Sequence, residues 1–165
     1  MNFEDIISEF ERVSDEDYSR NMKKFGITYV KSYGLRLPQI RKIAKSYGKN
    51  HELALKLWDY GYHETYLLAT MVEEPEKVTS KQLDKWVHEF YSWDLVDQAC
   101  INLLRFLPEA RENIFIWCHT DEEFVKLPFQ YSSFLVGGVN PILIITTSFR
   151  FFLFQSLVLE NKTCE

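Results

Sequence analysis

Apolar residues recur at intervals of three and four along most of this chain, and that spacing limits it to amphipathic helices packed on one another. The segment "TSKQLDKWVHEFY" is the clearest case. Leu83, Trp86, Val87, Phe90 and Tyr91 follow i, i+3, i+4, i+7, i+8, and Thr79 with Gln82 has the spacing of a capping box at the start. In "LPQIRKIAKSYG", Pro38 suits a first helical turn, Ile40, Ile43, Ala44 and Tyr47 form one stripe, and Gly48 closes the helix. "NHELALKLWDYG" repeats the plan with an Asn50 cap, a stripe of Leu53, Ala54, Leu57 and Trp58, and a Gly61 stop. Further helices are expected within "YHETYLLATMVEE", in "SWDLVDQACINLLRF" from a Ser92 cap, and in "PEARENIFIWCH" after Pro108.

Short helices on tight connections, with one helix type recurring about 40 residues later in the chain, predict an all-α fold of stacked helical pairs. We place this helical-repeat domain at residues 1–126. Residues 127–165 differ in kind, with four charged residues in 39 against 39 in the preceding 126. Their aromatic and β-branched residues, Gly137-Gly138 and Pro141 predict an irregular or strand-like tail in which the helical period stops after Lys126. Arg150 and Gln155 interrupt what would otherwise pass for a membrane span, so no membrane association is expected. The three cysteines, Cys100, Cys118 and Cys164, are odd in number and far apart, which excludes a disulfide framework and zinc-ligand spacing. The acidic, amphipathic first 20 residues are the opposite of a signal peptide. A cytoplasmic setting is the expectation.

The formal net charge of -5 conceals a strong segregation. Residues 1–18 carry seven acids and one Arg, whereas residues 19–49 carry nine Lys or Arg and no acid. Two explanations stand: a solvated face, or a surface that binds a polyanion. For the second, the candidates are Lys23, Lys24, Lys31, Arg36, Arg41, Lys42 and Lys45. Arg41, Lys42 and Lys45 lie opposite the Ile40 stripe of their helix and face outward together.

In the helix after Ser92, Val96, Ala99, Cys100, Leu103 and Leu107 form the buried stripe, and Asp94, Gln98 and Arg105 fall on the solvent side. Asp94, in the first turn, complements the helix dipole. Asp97 fits neither group. It lies one turn after Trp93 and is flanked by apolar residues, so it is either bonded to a neighbouring helix end or chemically active. Other apparent motifs fail. "HETYL" begins like a zinc-protease helix, but its fifth position is Leu67, so His63 and Glu64 are assigned structural roles. No metal or cofactor site is expected, and Trp58, Trp86 and Trp117 belong to apolar stripes.

The segments "GLRLPQIRKIAK", "GYHETYLLA" and "SWDLVDQ" resemble the bacterial DNA alkylation repair family, the AlkD-like proteins, from about Met22 to Lys126. The resemblance implies a HEAT-like, armadillo-like helical-repeat solenoid. It also implies an N-glycosylase that releases N3- or N7-alkylated purines from duplex DNA without a cofactor. Trp93 and Asp97 would be its active-site groups. Such proteins place an arginine after the "EEFVK"-like segment, where this chain has Leu127, and the tail has the composition of an altered reading frame or a divergent end. The alternative is a non-catalytic repeat module that binds DNA or a protein. From the composition of the tail, residues 127–165 should exchange their amide hydrogens fastest in the chain, and removing them should improve solubility. Exchange as slow as in Leu83 to Leu104 would make them part of the core.

Overall fold

The computed structural model describes residues 2–22, 24, 31–117 and 119–130. Among them are nine α-helices and no strand. The helices are α1 (Phe3–Arg12), α2 (Glu16–Met22), α3 (Leu37–Tyr47), α4 (His51–Tyr60), α5 (His63–Val72), α6 (Ser80–His88), α7 (Trp93–Asn102), α8 (Pro108–Trp117) and α9 (Glu123–Gln130). Single 3₁₀ turns at Pro75–Lys77 and Leu104–Phe106 join α5 to α6 and α7 to α8.

Local chemistry sets the boundaries. Asn2 and Asp5 form a reciprocal capping box at α1, the Asp5 N–H donating to Asn2 Oδ1 at 3.0 Å and the Asn2 N–H to Asp5 Oδ2 at 2.7 Å. Asn50 Oδ1 accepts from the Leu53 N–H at 3.0 Å. Gly61 ends α4 in the left-handed region, at φ 79°, as the sequence indicated. At α6 only half of the expected box forms. Thr79 Oγ1 accepts from the Gln82 N–H at 3.2 Å, but the Gln82 amide donates instead to Glu73 Oε2 at 2.6 Å. The reason is burial: Glu73 is fully covered and also bonds the His51 ring at 2.7 Å, so its carboxylate claims every donor in reach.

Packing follows the alternation of the helices. α3, α5, α7 and α9 succeed one another along one layer, with α4 against α5, α1 against α4, and α6 and α8 against α9. A single core runs through the stack, from Ile6 and Phe10 of α1 to Val125 of α9. Trp58 and Trp86 link successive pairs, their rings stacked at 3.9 Å and 4°. The buried Trp58 also donates its indole N–H to Glu89 at 2.5 Å. All three stripe tryptophans are therefore core groups, Trp117 included.

The end of the helical region differs from the sequence expectation. The sequence pattern predicts helical periodicity no further than Lys126, yet α9 continues to Gln130 with Pro128 inside it. Pro128, sixth in this eight-residue helix, forgoes the bond that an N–H there would make to the Phe124 carbonyl, and the helix ends two residues later. Residues 131–165, with Arg150 and Gln155, lie outside the described residues. No helix among those described is long and apolar enough to cross a membrane.

The segment that leads into α3 is held by one buried carboxylate. Glu64, on the first turn of α5 and 1% exposed, accepts on Oε1 from Ser32 Oγ at 2.7 Å, the Gly34 N–H at 2.8 Å and the Leu35 N–H at 3.1 Å. Its Oε2 accepts from the Tyr33 N–H at 2.9 Å. Gly34 is required there. Its φ is 77°, and a Cβ on it would meet the Asp15 carbonyl oxygen at 1.9 Å. Replacing Glu64 by Ala leaves these donors buried without an acceptor and should cost about 3 kcal/mol or more in urea unfolding. A loss below about 1 kcal/mol, the size of an ordinary surface change, would show that the clasp is dispensable.

Candidate nucleic-acid interface and carboxylate site

Trp93 is the first residue of α7 and is half-buried. One turn on, Asp97 is 4% exposed, between the buried Val96 and Gln98. Burial in the first place, and the nearby charge of Asp94 in the second, push its carboxyl up to about 8. The same burial, followed by the charge of Asp97, pushes the Cys100 thiol well above its ordinary range. Sequence periodicity singled out Asp97 as misplaced on an apolar flank, and the structure puts it there.

Three expectations about α7 need correction. Ser92 occupies the cap position, but its side chain makes no capping bond, and its buried Oγ has no hydrogen-bond partner. Asp94, assigned to solvent, is turned inward: its Oδ2 lies 2.9 Å from His63 Nε2, with only 16% of the side chain exposed. The approach is off the line of a well-directed hydrogen bond, so the contact is chiefly electrostatic. Gln98, also assigned to solvent, is buried. Its Oε1 accepts from Asn102 Nδ2 at 3.3 Å and from Arg41 Nη2 of α3 at 3.5 Å. The physical cause is shared: a helical wheel assumes one covered face, whereas α7 is packed by both α5 and α9.

The structure divides the basic residues. Lys24, Lys31, Arg36, Arg41, Lys42 and Lys45 are exposed, and Lys23 lies outside the described residues. Arg41 and Lys45 stand one turn apart on α3, with Arg41 reaching Gln98 of α7. Lys31 holds its ammonium 5.5 Å from the centre of the Tyr62 ring. Arg36 lies over Tyr18 at 4.6 Å and 3.5 Å from Asp15 Oδ2. Lys42 instead lines a cavity of about 740 Å³ between α1 and α3, together with Asp5, Glu9 and Arg12. Asp15, from the first 18 residues, thus folds back onto Arg36, while Arg41 and Lys45 stay exposed on α3. No group of three or more His, Cys, Asp or Glu among the described residues could hold a metal ion.

His63 was assigned only a structural place. It begins α5, is 2% exposed, and puts Nδ1 2.8 Å from Tyr91 Oη as well as Nε2 beside Asp94. No spacing in the sequence links position 63 to positions 91 and 94. Its location at a helix start was the only local signal.

The raised Asp97 carboxyl has a measurable consequence for stability. In the unfolded chain Asp97 ionises near its ordinary 3.8, whereas in the folded chain it holds its proton to about 8. Between those values the unfolded state binds fewer protons, so the Asp97 contribution makes stability fall as pH rises, then level off. Asp97→Asn removes that contribution. The Tm of the variant minus that of the wild type should grow steadily from pH 4 to pH 8; a constant difference would contradict the assignment.

A sequence profile of the DNA alkylation repair enzyme family matches residues 6–126. The match begins ahead of Met22, where the resemblance read from the sequence starts, and ends at the last residue before Leu127. Two uncharacterized proteins are similar: Lmo0209 of Listeria monocytogenes, 27% identical over 97 residues, and Lin0241 of Listeria innocua, 36% identical over 56 residues. The first alignment covers 57% of this chain and 43% of the relative, the second 33% and 25%. The chain thus spans less than half the length of these curated relatives. A solved structure, described as a new family of proteins related to the HEAT-like repeat DNA glycosylases with affinity for branched DNA structures, superimposes with a TM-score of 0.72 at 20% identity. That superposition covers 85% of this chain and 60% of the other, and it shows that the helical stack is of the HEAT-like kind. With the family profile matched across most of its length, the chain belongs to the DNA alkylation repair enzyme family.

Proposed function

We propose that this chain carries the DNA-facing part of an N-glycosylase that releases N3- or N7-alkylated purines from duplex DNA. The observation that supports it most is the buried Asp97 carboxyl beside the half-buried Trp93 at the start of α7. A purine alkylated at N3 or N7 is already a cation, so its departure needs no strong acid. The C1′–N bond breaks with its electron pair going to the purine, which leaves neutral, and positive charge develops on the sugar. Water then adds to C1′ and gives up a proton. A carboxylate in low-dielectric surroundings stabilises that sugar cation more than water does and orients the attacking water. The Trp93 indole packs against the deoxyribose and favours the same charge.

The high ionisation point of Asp97 belongs to this chemistry. In the free protein its carboxyl is largely neutral at pH 7, which lowers the cost of burying it. A cationic lesion brought alongside favours the ionised form. The substrate then charges its own catalyst, and an unmodified neutral purine does not. Arg41 and Lys45 grip the phosphate backbone, with Lys23, Lys24, Lys31, Arg36 and Lys42 as further candidates on the same segment.

A non-catalytic module that binds DNA is the second reading. It is favoured by Leu127 where the resemblance implies an arginine, and by the affinity for branched DNA stated for the structurally similar protein. Excision separates the two. Asp97→Asn should reduce single-turnover release of N7-methylguanine by about 100-fold or more while the helical content is unchanged. Release by neither protein, with DNA binding intact, favours the binding module. For the grip itself, Arg41→Glu with Lys45→Glu should weaken duplex binding and flatten its dependence on salt, because fewer counterions are released. Binding insensitive to the double reversal removes this surface from a DNA role.

A further inference from the structure

The catalytic reading uses Asp97 and Trp93 and leaves out a buried imidazole next to them. His63 Nδ1 is 2.8 Å from Tyr91 Oη and its Nε2 is 2.9 Å from Asp94 Oδ2, so one ring joins the connection before α7 to the first turn of α7 itself. Its backbone N–H is also committed, donating to the Lys31 carbonyl at 3.0 Å. A phenol can donate to one ring nitrogen, and when Tyr91 donates to Nδ1 the ring proton sits on Nε2, facing Asp94. The other carboxylate oxygen of Asp94, Oδ1, is buried without a hydrogen-bond partner. His63 Nε2 is the group that faces the Asp94 carboxylate, at 2.9 Å and off the line of a well-directed hydrogen bond.

We propose that His63, oriented by Tyr91, is a positioning residue for the Asp97 site: it engages the Asp94 carboxylate and keeps that charge from acting at full strength on Asp97. This inference rests on the reading of Asp97 as the catalytic carboxylate. Asp94 lies one turn before Asp97 on the same helix, and its charge is, after burial, the second cause that holds the Asp97 carboxyl up. Two like charges so close ionise together only with difficulty, and a hydrogen-bonding or cationic partner on one of them relieves both. The neighbouring titratable groups are His63 from α5, Tyr91 before α7, and Cys100 one turn further along α7. Arg41 of α3 reaches α7 at Gln98, and α9, which also packs on α7, carries Glu123 and Lys126.

The test is a carbon-detected NMR titration of the Asp94 and Asp97 carboxyls in the full chain without DNA, with excision measured separately. His63→Phe should raise the upper midpoint of the carboxyl pair by about one pH unit. Tyr91→Phe, the milder change, should raise it less, and His63→Gln, which keeps a donor, should restore most of the shift. In an Asp94→Asn background, where the midpoint of Asp97 falls, His63→Phe should add nothing. A midpoint unmoved in both His63→Phe and Tyr91→Phe overturns the inference. So does an equal shift with Asp94 already removed, because His63 would then act independently of it. If the midpoints move as stated and no purine is released, the positioning role stands and the glycosylase reading alone fails.

Discussion

A single buried carboxylate holds the parts of this molecule in register. Glu64 has lost its hydration and receives in its place a hydroxyl and three backbone N–H groups from Ser32 to Leu35. Charge-assisted bonds of this kind are short, and leaving any of them unmade in a dry interior is costly. The clasp fixes the strand of chain that leads into α3 onto α5, the helix that touches α3, α4 and α7. Gly34 allows that strand to pass against the Asp15 carbonyl, where no side chain fits. The distance from the α3 cations to Asp97 is therefore set by a carboxylate that has no part in the proposed chemistry.

The α7 site uses burial differently. Asp97 is buried one turn after a second acid, and burial first, then the charge of Asp94, displaces its ionisation upward. Stability argues against such a pair, since an asparagine at position 97 would avoid the penalty. In the proposed glycosylase that carboxyl meets a cationic lesion beside Trp93. In the proposed positioning role, His63 and Tyr91 moderate the action of the Asp94 charge on Asp97.

Much of this was legible in the sequence because it depends on neighbours within one or two turns. The Asn50 cap, the Gly61 stop and the stripe of Leu83, Trp86 and Val87 are local, and each is found where the spacing indicated, although α6 ends at His88, before the buried Phe90. Asp97 was legible as an anomaly, a charge on an apolar flank. Its setting was not, because the partners come from other elements: Arg41 reaches Gln98 across 57 positions, and Glu64 holds donors 29 to 32 residues away. A wheel for α7 alone sent Asp94 and Gln98 to solvent because it cannot represent two packing neighbours. Likewise the run from Ser19 to Lys49 is free of acids along the chain but not in space, where Asp15 returns to Arg36.

In the proposed reaction an ionised Asp97 stabilises the cationic sugar as the damaged purine leaves. The pH dependence of excision tests it most directly. Single-turnover release of N7-methylguanine from duplex DNA, followed from pH 5 to pH 9, should rise about tenfold per pH unit and level off once Asp97 is ionised in the complex. That plateau should begin at or below about pH 8, the ionisation point of the free protein, because a bound cationic lesion lowers it. Release that is measurable yet independent of pH across this range would contradict the claim.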